Sequence, residues 1–281
     1  MDFFVTLQHL LPRYALTRLT GRAAASQRPW LKRRLIRAFA HAYDIHLNEA
    51  ECTDFEAFTS FNAFFTRALA RGVRPLAGTE QQLVSPVDAR ISEIGAIEQG
   101  TLFQAKGRRY SLTELTGADA NADRAADAAQ YEGGRFATLY LAPSDYHRIH
   151  VPLPGVLTRA TAIPGTLFSV NGRTEAGIAN LFCRNERLAL EFDTERGPLF
   201  MVLVGALIVG AIETVFPGPR SPYRERSVHD YSQAFERGAE VGRFLLGSTV
   251  ILGTGPGYVD WGSDAEPGRR VRVGAFIGDR D

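Results

Sequence analysis

At 281 residues the chain has room for one large domain or a domain with an appendage, and its ordinary balance of apolar and charged residues argues against wholesale disorder. A formal net charge of +1 excludes a nucleic-acid binder that works by global positive charge. The two cysteines, Cys52 and Cys183, show neither CxxC nor zinc-like spacing and read as structural thiols in a reducing compartment.

The charge is unevenly spread. From Met1 to Arg37 the only acid is Asp2, against Arg13, Arg18, Arg22, Arg28, Lys32, Arg33, Arg34 and Arg37. Phe3, Leu7, Leu10, Leu11 and Tyr14 recur at three- and four-residue steps and predict a first amphipathic helix, which Pro12 kinks or ends. Gln8, His9, Pro12 and Arg13 break its apolar run, so it does not read as a secretory signal. A second amphipathic stretch starts at Trp30, with Leu31, Leu35, Ile36, Phe39 and Tyr43 on one face and Lys32, Arg33, Arg34 and Arg37 largely on another. A third, near Phe55 to Leu69, carries Phe58, Phe61, Phe64, Phe65 and Leu69. Two readings stay open: the helices pack on the core with solvated arginines, or their basic, aromatic-rich surface lies on anionic lipid.

After Pro75 the texture changes to short β-branched runs punctuated by Gly and Pro: LVSPVDARISEIG, RFATLYLAP, RIHVPLPGVLTRATAIPG, LALEFDTERG, LFMVLVGALIVGAIETVF and RFLLGSTVILGTG. The predicted class is α+β: amphipathic helices over residues 1–75, then a β-rich, mostly antiparallel catalytic domain over 76–281. The apolar run Leu199–Ile212 is shorter than the ~20 residues of a spanning helix and ends at Glu213; it reads as two buried strands joined at a glycine. LTGADANADRAADAAQ reads as a loop or a loosely held helix, and GPRSPYRERS as a mobile polar loop. GTGPG lacks the GxGxxG pattern and reads as a turn.

Three places could carry chemistry. Asp88 is a lone acid in SPVDARI at the entry to a strand, where it could equally cap a turn. His147 and His150 in DYHRIH share a face only if the segment is helical; no third ligand with zinc-like spacing accompanies them, so no metal site is expected. Ser248 follows Gly247 inside the apolar FLLGSTVIL. Asp, His and Ser could assemble in space as a nucleophilic triad, which used in trans would make a serine hydrolase, although the GxSxG elbow is absent.

LGST, DYHRIH and FSVN together, with FNAFFTRAL…VRPL, SPVDARI, QAKGRRYSL, NLFCRNER and LVGALIVGAIET, extend over nearly the whole chain and resemble the bacterial, membrane-associated, pyruvoyl-dependent phosphatidylserine decarboxylases. The family usually has Gly after the aspartate where this chain has Ala89, which would be strained if the backbone there required positive φ.

The resemblance implies a proenzyme that cuts itself between Gly247 and Ser248 into a large chain, 1–247, and a small chain, 248–281. It assigns Asp88, His150 and Ser248 as the processing triad. His150 takes the hydroxyl proton, Asp88 holds its tautomer, and Ser248 Oγ attacks the Gly247 carbonyl carbon to give an ester. Elimination across the Cα–Cβ bond of residue 248 frees the large chain. Hydrolysis with loss of ammonia leaves a pyruvoyl ketone, to which phosphatidylserine forms a Schiff base that takes up the electrons of the departing carboxylate, as PLP does elsewhere. The resemblance gives His147 to the decarboxylation step, as proton donor or as a group positioning the carboxylate. Phe168, Ser169 and Asn171 are candidate substrate contacts. Lys32 and Lys106 are the only lysines, and nothing around Lys106 suggests a PLP site. A lipid substrate favours the interfacial reading of the N-terminus: a peripheral protein on the cytoplasmic side of the cell membrane, meeting phosphatidylserine in an anionic surface. The resemblance also admits a homodimer.

Overall fold

The structure, a computed structural model, describes residues 13–104, 108–118, 127–207, 211–245, 249–263 and 265–279. The first predicted helix, from Phe3 to Leu11, therefore lies outside the described residues. Two helices open the rest, α1 (Arg13–Ala24) and α2 (Pro29–Ala42). Pro29 sits in the first turn of α2, where its missing N–H costs nothing.

The apolar stripe of α2 forms in part. Ile36 is buried, and Leu35 and Phe39 pack on Phe58, Phe61, Phe64 and Phe65, whereas Trp30 and Tyr43 stay exposed. The third predicted helix shrinks to α3 (Phe61–Phe65). Ser60 caps it, accepting from Ala63 N–H at 3.1 Å, and Thr66 closes it by donating to the Asn62 carbonyl. Asn, Phe and Thr are weak helix formers, and here the rings pack on one another: Phe64 lies 5.5–5.9 Å from Phe55, Phe58 and Phe61. Part of the basic face ties this unit together. Lys32 Nζ donates to the Glu56 and Phe58 carbonyls, and Arg33 and Arg37 pair with Glu56 while remaining more than half exposed.

The β-rich part begins with β1 (Leu83–Val84), β2 (Ala89–Ala96), β3 (Thr101–Gln104), β4 (Arg108–Ser111) and helix α4 (Leu112–Thr116). Next come β5 (Arg135–Tyr140), β6 (Arg148–His150), β7 (Gly155–Ile163) and the short helices α5 (Gly172–Gly177) and α6 (Leu181–Arg184). β8 (Arg187–Thr194), β9 (Gly197–Val204), β10 (Ile212–Thr214), β11 (Ser227–Phe235) and β12 (Glu240–Phe244) follow, then β13 (Thr249–Thr254), β14 (Asp260–Trp261), β15 (Arg270–Val271) and β16 (Phe276–Asp279). Pairing between these strands is antiparallel, as predicted. Eight make one sheet in the order β11-β7-β8-β9-β13-β5-β2-β15; β10-β12-β6 and β1-β16-β14 form smaller sheets, and β3-β4 a hairpin.

Strand β13 sits inside the large sheet, in register with β5 on one side and β9 on the other along its whole length. Both its faces are covered, Val250 and Leu252 by one core cluster and Ile251 by the other, which is why TVILGT shows no apolar–polar alternation. Gly253 is required by close approach: a Cβ there would lie 2.1 Å from the Phe200 ring.

FLLGSTVIL is not one strand. Phe244 ends β12 in a three-stranded sheet and Thr249 begins β13 in the large one, so the run is a joint between sheets. The apolar run Leu199–Ile212 likewise divides between β9 and β10, which belong to different sheets. Among the described residues no helix is long and apolar enough to cross a membrane. The loop GPRSPYRERS is tethered: Ser221 Oγ and Tyr223 N–H both donate to the buried Glu186 carboxylate. Residues 119–126 of the Ala/Asp-rich segment lie outside the described residues.

Candidate active site

Asp88 precedes β2 and is buried. Its carboxylate accepts from Arg74 Nε at 3.0 Å and Arg74 Nη2 at 2.6 Å, and from Val273 N–H at 2.8 Å. Ala89 is the first residue of β2, opposite Val271, with ordinary extended backbone: among the described non-glycine residues only Asp44, Gln99 and Asn180 have positive φ. The strain that Ala89 could have introduced does not arise.

His150 ends β6. Its amide donates to the Pro86 carbonyl at 2.9 Å, which lays β6 against the SPVDA segment. Its Nδ1 lies 2.8 Å from the Gly238 carbonyl, so Nδ1 carries the proton and Nε2 the lone pair. Tyr146 stacks on the ring, and its hydroxyl is 3.1 Å from Nε2. Burial raises Tyr146 to about 12, so that hydroxyl keeps its proton and donates. Burial pushes His150 below the ordinary histidine range, against the opposing effect of its Gly238 bond. The bond by which His150 N–H would donate to Asp88 is replaced on both sides: Gly238 sets the tautomer and Arg74 takes the carboxylate. Asp88 acts on His150 through space, as a nearby negative charge.

His147 lies just before β6 and is completely buried. Nδ1 donates to the Asp145 carbonyl at 2.7 Å, and Nε2 has no partner among the described residues. The Phe65 ring of α3 covers it at 4.1 Å between centroids. Burial lowers its pKa to about 3, so the resting imidazole is neutral and Nε2 is an acceptor. As a proton donor, one of the roles expected of it, His147 must first be given a proton.

Gly247 and Ser248 lie outside the described residues, as does Lys106; their neighbours do not. Phe244 N–H donates to the His147 carbonyl at 3.0 Å and Leu245 N–H to the Ala211 carbonyl at 3.0 Å. Thr249 is fully buried opposite Tyr140 and Val204. DYHRIH therefore runs beside the strand that leads into LGST.

FSVN is largely occupied with local structure. Phe168 is fully buried, its amide and carbonyl both bound by the Asn185 side chain. Asn171 caps α5 by accepting from Arg173 and Thr174 N–H, with Thr174 returning the bond, and its amide donates to Ser169 Oγ at 3.3 Å. Ser169 is only partly buried.

Sequence reasoning missed Tyr146, Arg74 and Arg67. The last two sit in FTRALARGVRP, where arginines at 67, 71 and 74 interrupt an otherwise apolar segment, a signal that was there to be read. Arg67 is 8% exposed, its charge bears on His147, and it lines a cavity of about 680 Å³ that Asp88 and Tyr146 also line.

Comparison with known proteins gives matches over nearly the whole chain. A family model described as phosphatidylserine decarboxylase matches residues 61–279, and a second, described as PSD, matches residues 3–44. The phosphatidylserine decarboxylase proenzyme of Alcanivorax borkumensis is 47% identical, over 98% of this chain and 95% of its own length. That of Pseudomonas aeruginosa is 48% identical and that of Methylococcus capsulatus 46%, each over 98% of this chain and 96% of its own.

Proposed function

This chain belongs to the phosphatidylserine decarboxylase family, and on that premise we propose that Asp88, His150 and Ser248 process it between Gly247 and Ser248, and that His147 serves the decarboxylation. Its activity is conversion of phosphatidylserine to phosphatidylethanolamine and CO₂; it is a proenzyme giving two chains from one precursor, with the serine-derived pyruvoyl group of its family. The observation that carries the residue assignment is the bond from Phe244 N–H to the His147 carbonyl, because it sets DYHRIH against the approach to the scissile bond.

For processing, His150 is in the right form. It is neutral, its Nδ1 proton is held by Gly238, and its Nε2 lone pair faces a protonated hydroxyl at Tyr146. Tyr146 must yield that lone pair for His150 to take the Ser248 proton. Asp88 holds Arg74 and accepts from Val273 N–H, which ties the SPVDA segment to the residues after β15, and its negative charge favours the imidazolium formed during attack. The small chain then stays in place, since Thr249–Thr254 is paired on both sides within the large sheet.

The described residues fit a family with a pyruvoyl group at the head of the small chain: His147, whose carbonyl is bound by Phe244 N–H in the strand that leads toward LGST, has a buried Nε2 with no partner among the described residues and so a free proton acceptor. When present, the group supplies the electron sink for the carbanion left by CO₂. His147 Nε2 accepts a proton from the substrate ammonium and returns it to the substrate Cα. The pKa of about 3 reflects burial of the ring, with the Arg67 charge adding to it; a substrate carboxylate beside the ring favours the protonated imidazole. Ser169 remains the candidate headgroup contact of FSVN.

The division at residues 75 and 76 separates a membrane-facing helical unit from the catalytic part, and the protein works at the periphery of the cytoplasmic membrane surface. Exposed Leu19 and Trp30 beside Arg33, Arg34 and Arg37 support this reading. Borohydride reduction tests the proposal: a fragment that starts at position 248, has no free amino end and gains two hydrogens supports it, and a fragment headed by a free serine refutes it.

A further inference from the structure

The cavity lined by Arg67 lies where four parts of the chain meet. The helical unit contributes Glu49 and Arg67, the SPVDA segment Asp88, the loop before β6 Asp145 and Tyr146, and the β15 region Arg270 and Arg272. Its volume, about 680 Å³, suits a small organic group.

Its charges do not cancel. The Asp88 carboxylate is held by Arg74 and Val273 N–H. Asp145 is held by Arg270 and by Ala142 N–H. Glu49 is shared by Arg74 and Arg272. Among the described residues Arg67 makes no ion pair: Nη2 donates to the Ser144 carbonyl at 3.2 Å, Nη1 is buried without a partner, and the guanidinium rests 5.7 Å from the Phe64 ring. Asp88, Asp145 and Glu49 act on it only through space, and burial still outweighs them in pulling its pKa down, so a guanidinium 8% exposed with no carboxylate in contact is costly to keep. Arginine also presents a planar fork of donors that matches phosphate oxygens.

We propose that this cavity binds the phosphodiester of a phospholipid headgroup, with Arg67 as its buried countercharge. The inference rests on the decarboxylase reading and adds to it the phosphate end of the substrate. Arg67 lines the cavity, and its charge bears on the His147 imidazole. A phosphate held by Arg67 leaves the amino-acid end of the headgroup to reach toward His147. Leu69, Ala50 and Phe276 give the same cavity an apolar side for the glycerol.

The test uses processed enzyme, with the pyruvoyl group verified by mass. In wild type, glycerophosphoethanolamine should inhibit turnover of phosphatidylserine in detergent micelles at concentrations where ethanolamine and inorganic phosphate do not. Arg67→Met should raise KM about tenfold or more with kcat changed less, and lose that inhibition, while Arg67→Lys recovers part of both. Equal inhibition by inorganic phosphate would make this a free-anion site and overturn the headgroup assignment. Unchanged KM and inhibition in processed Arg67→Met would overturn the site itself, while a chain with no pyruvoyl group or no turnover in wild type would count against the underlying reading instead. If Arg67→Met fails to fold, the wild-type inhibition series decides: no discrimination for the glycerophosphodiester contradicts the proposal.

Discussion

Asp88 grips Arg74 through both carboxylate oxygens, at 3.0 and 2.6 Å, with side chains only 11% and 9% exposed. This pair, rather than a bond to His150, is what holds the acid of the candidate triad. Removing one partner of such a pair strands the other in a dry setting, at a cost of about 3 kcal/mol. Arg74→Met is therefore expected to slow processing as severely as Asp88→Asn, and the double variant to be little worse than either. Gel analysis of cleavage over time checks this; normal processing in Arg74→Met would mean that Asp88 acts without its clamp.

The hydroxyl of Tyr146 occupies the His150 lone pair that, in the proposed processing step, the Ser248 proton needs. Tyr146→Phe frees it, so self-cleavage should proceed at least as fast as in wild type, whereas His150→Ala should stay full length. An uncleaved Tyr146→Phe chain would show that the proton travels through the tyrosine.

His147 also predicts a pH dependence of stability. Its pKa falls from 6.5 unfolded to about 3 folded, so between those values the unfolded chain binds more protons. Its contribution is complete above pH 6.5 and is lost toward pH 3, at about 1.4 kcal/mol per pH unit well inside the window. Glu186 opposes it. Burial raises it from 4.5 to about 7, so its contribution is present below pH 4.5 and lost as pH rises through 7. Between pH 7.5 and 5.5, His147→Asn should abolish roughly 1.4 kcal/mol of the acid destabilisation attributable to this site, measured by urea unfolding against wild type. An identical pH slope in the variant would mean that His147 is not buried neutral. The same variant should cleave itself but decarboxylate poorly.

Much of this was legible in the sequence because the signals are local. β-branched runs between Gly and Pro mark β5, β7, β8, β9 and β13, and the three- and four-residue steps around Leu35 and Phe39 mark α2. The third predicted helix failed because Phe58, Phe61, Phe64 and Phe65 satisfy a helical spacing while packing as an irregular aromatic cluster around one short helix. The partners of the site residues were not legible. Gly238 and Arg74 reach His150 and Asp88 through folding, and no spacing in the chain announces a backbone carbonyl as the partner of an imidazole. The role of FLLGSTVIL as a joint was equally hidden, since an apolar run gives no sign of which sheet each half will enter.

Leu19 and Trp30 are exposed on the helical unit at 67% and 63%. Replacing both with Ser should leave folding and processing intact, and weaken association with phosphatidylglycerol-containing vesicles by about tenfold or more, the scale of losing two inserted apolar side chains. Unchanged cosedimentation with the vesicles would remove this surface from the membrane contact.

Self-cleavage before Ser248, with that residue becoming the prosthetic group, is the step on which the proposed function turns. Intact mass of the purified, denatured protein, with Ser248→Ala beside it, tests it. Two species are expected in wild type, residues 1–247 and a 248–281 fragment lighter than the serine-headed peptide by one ammonia, and a single full-length species in the variant. A wild-type chain that stays whole while making phosphatidylethanolamine, or a variant that still yields both fragments, would contradict it.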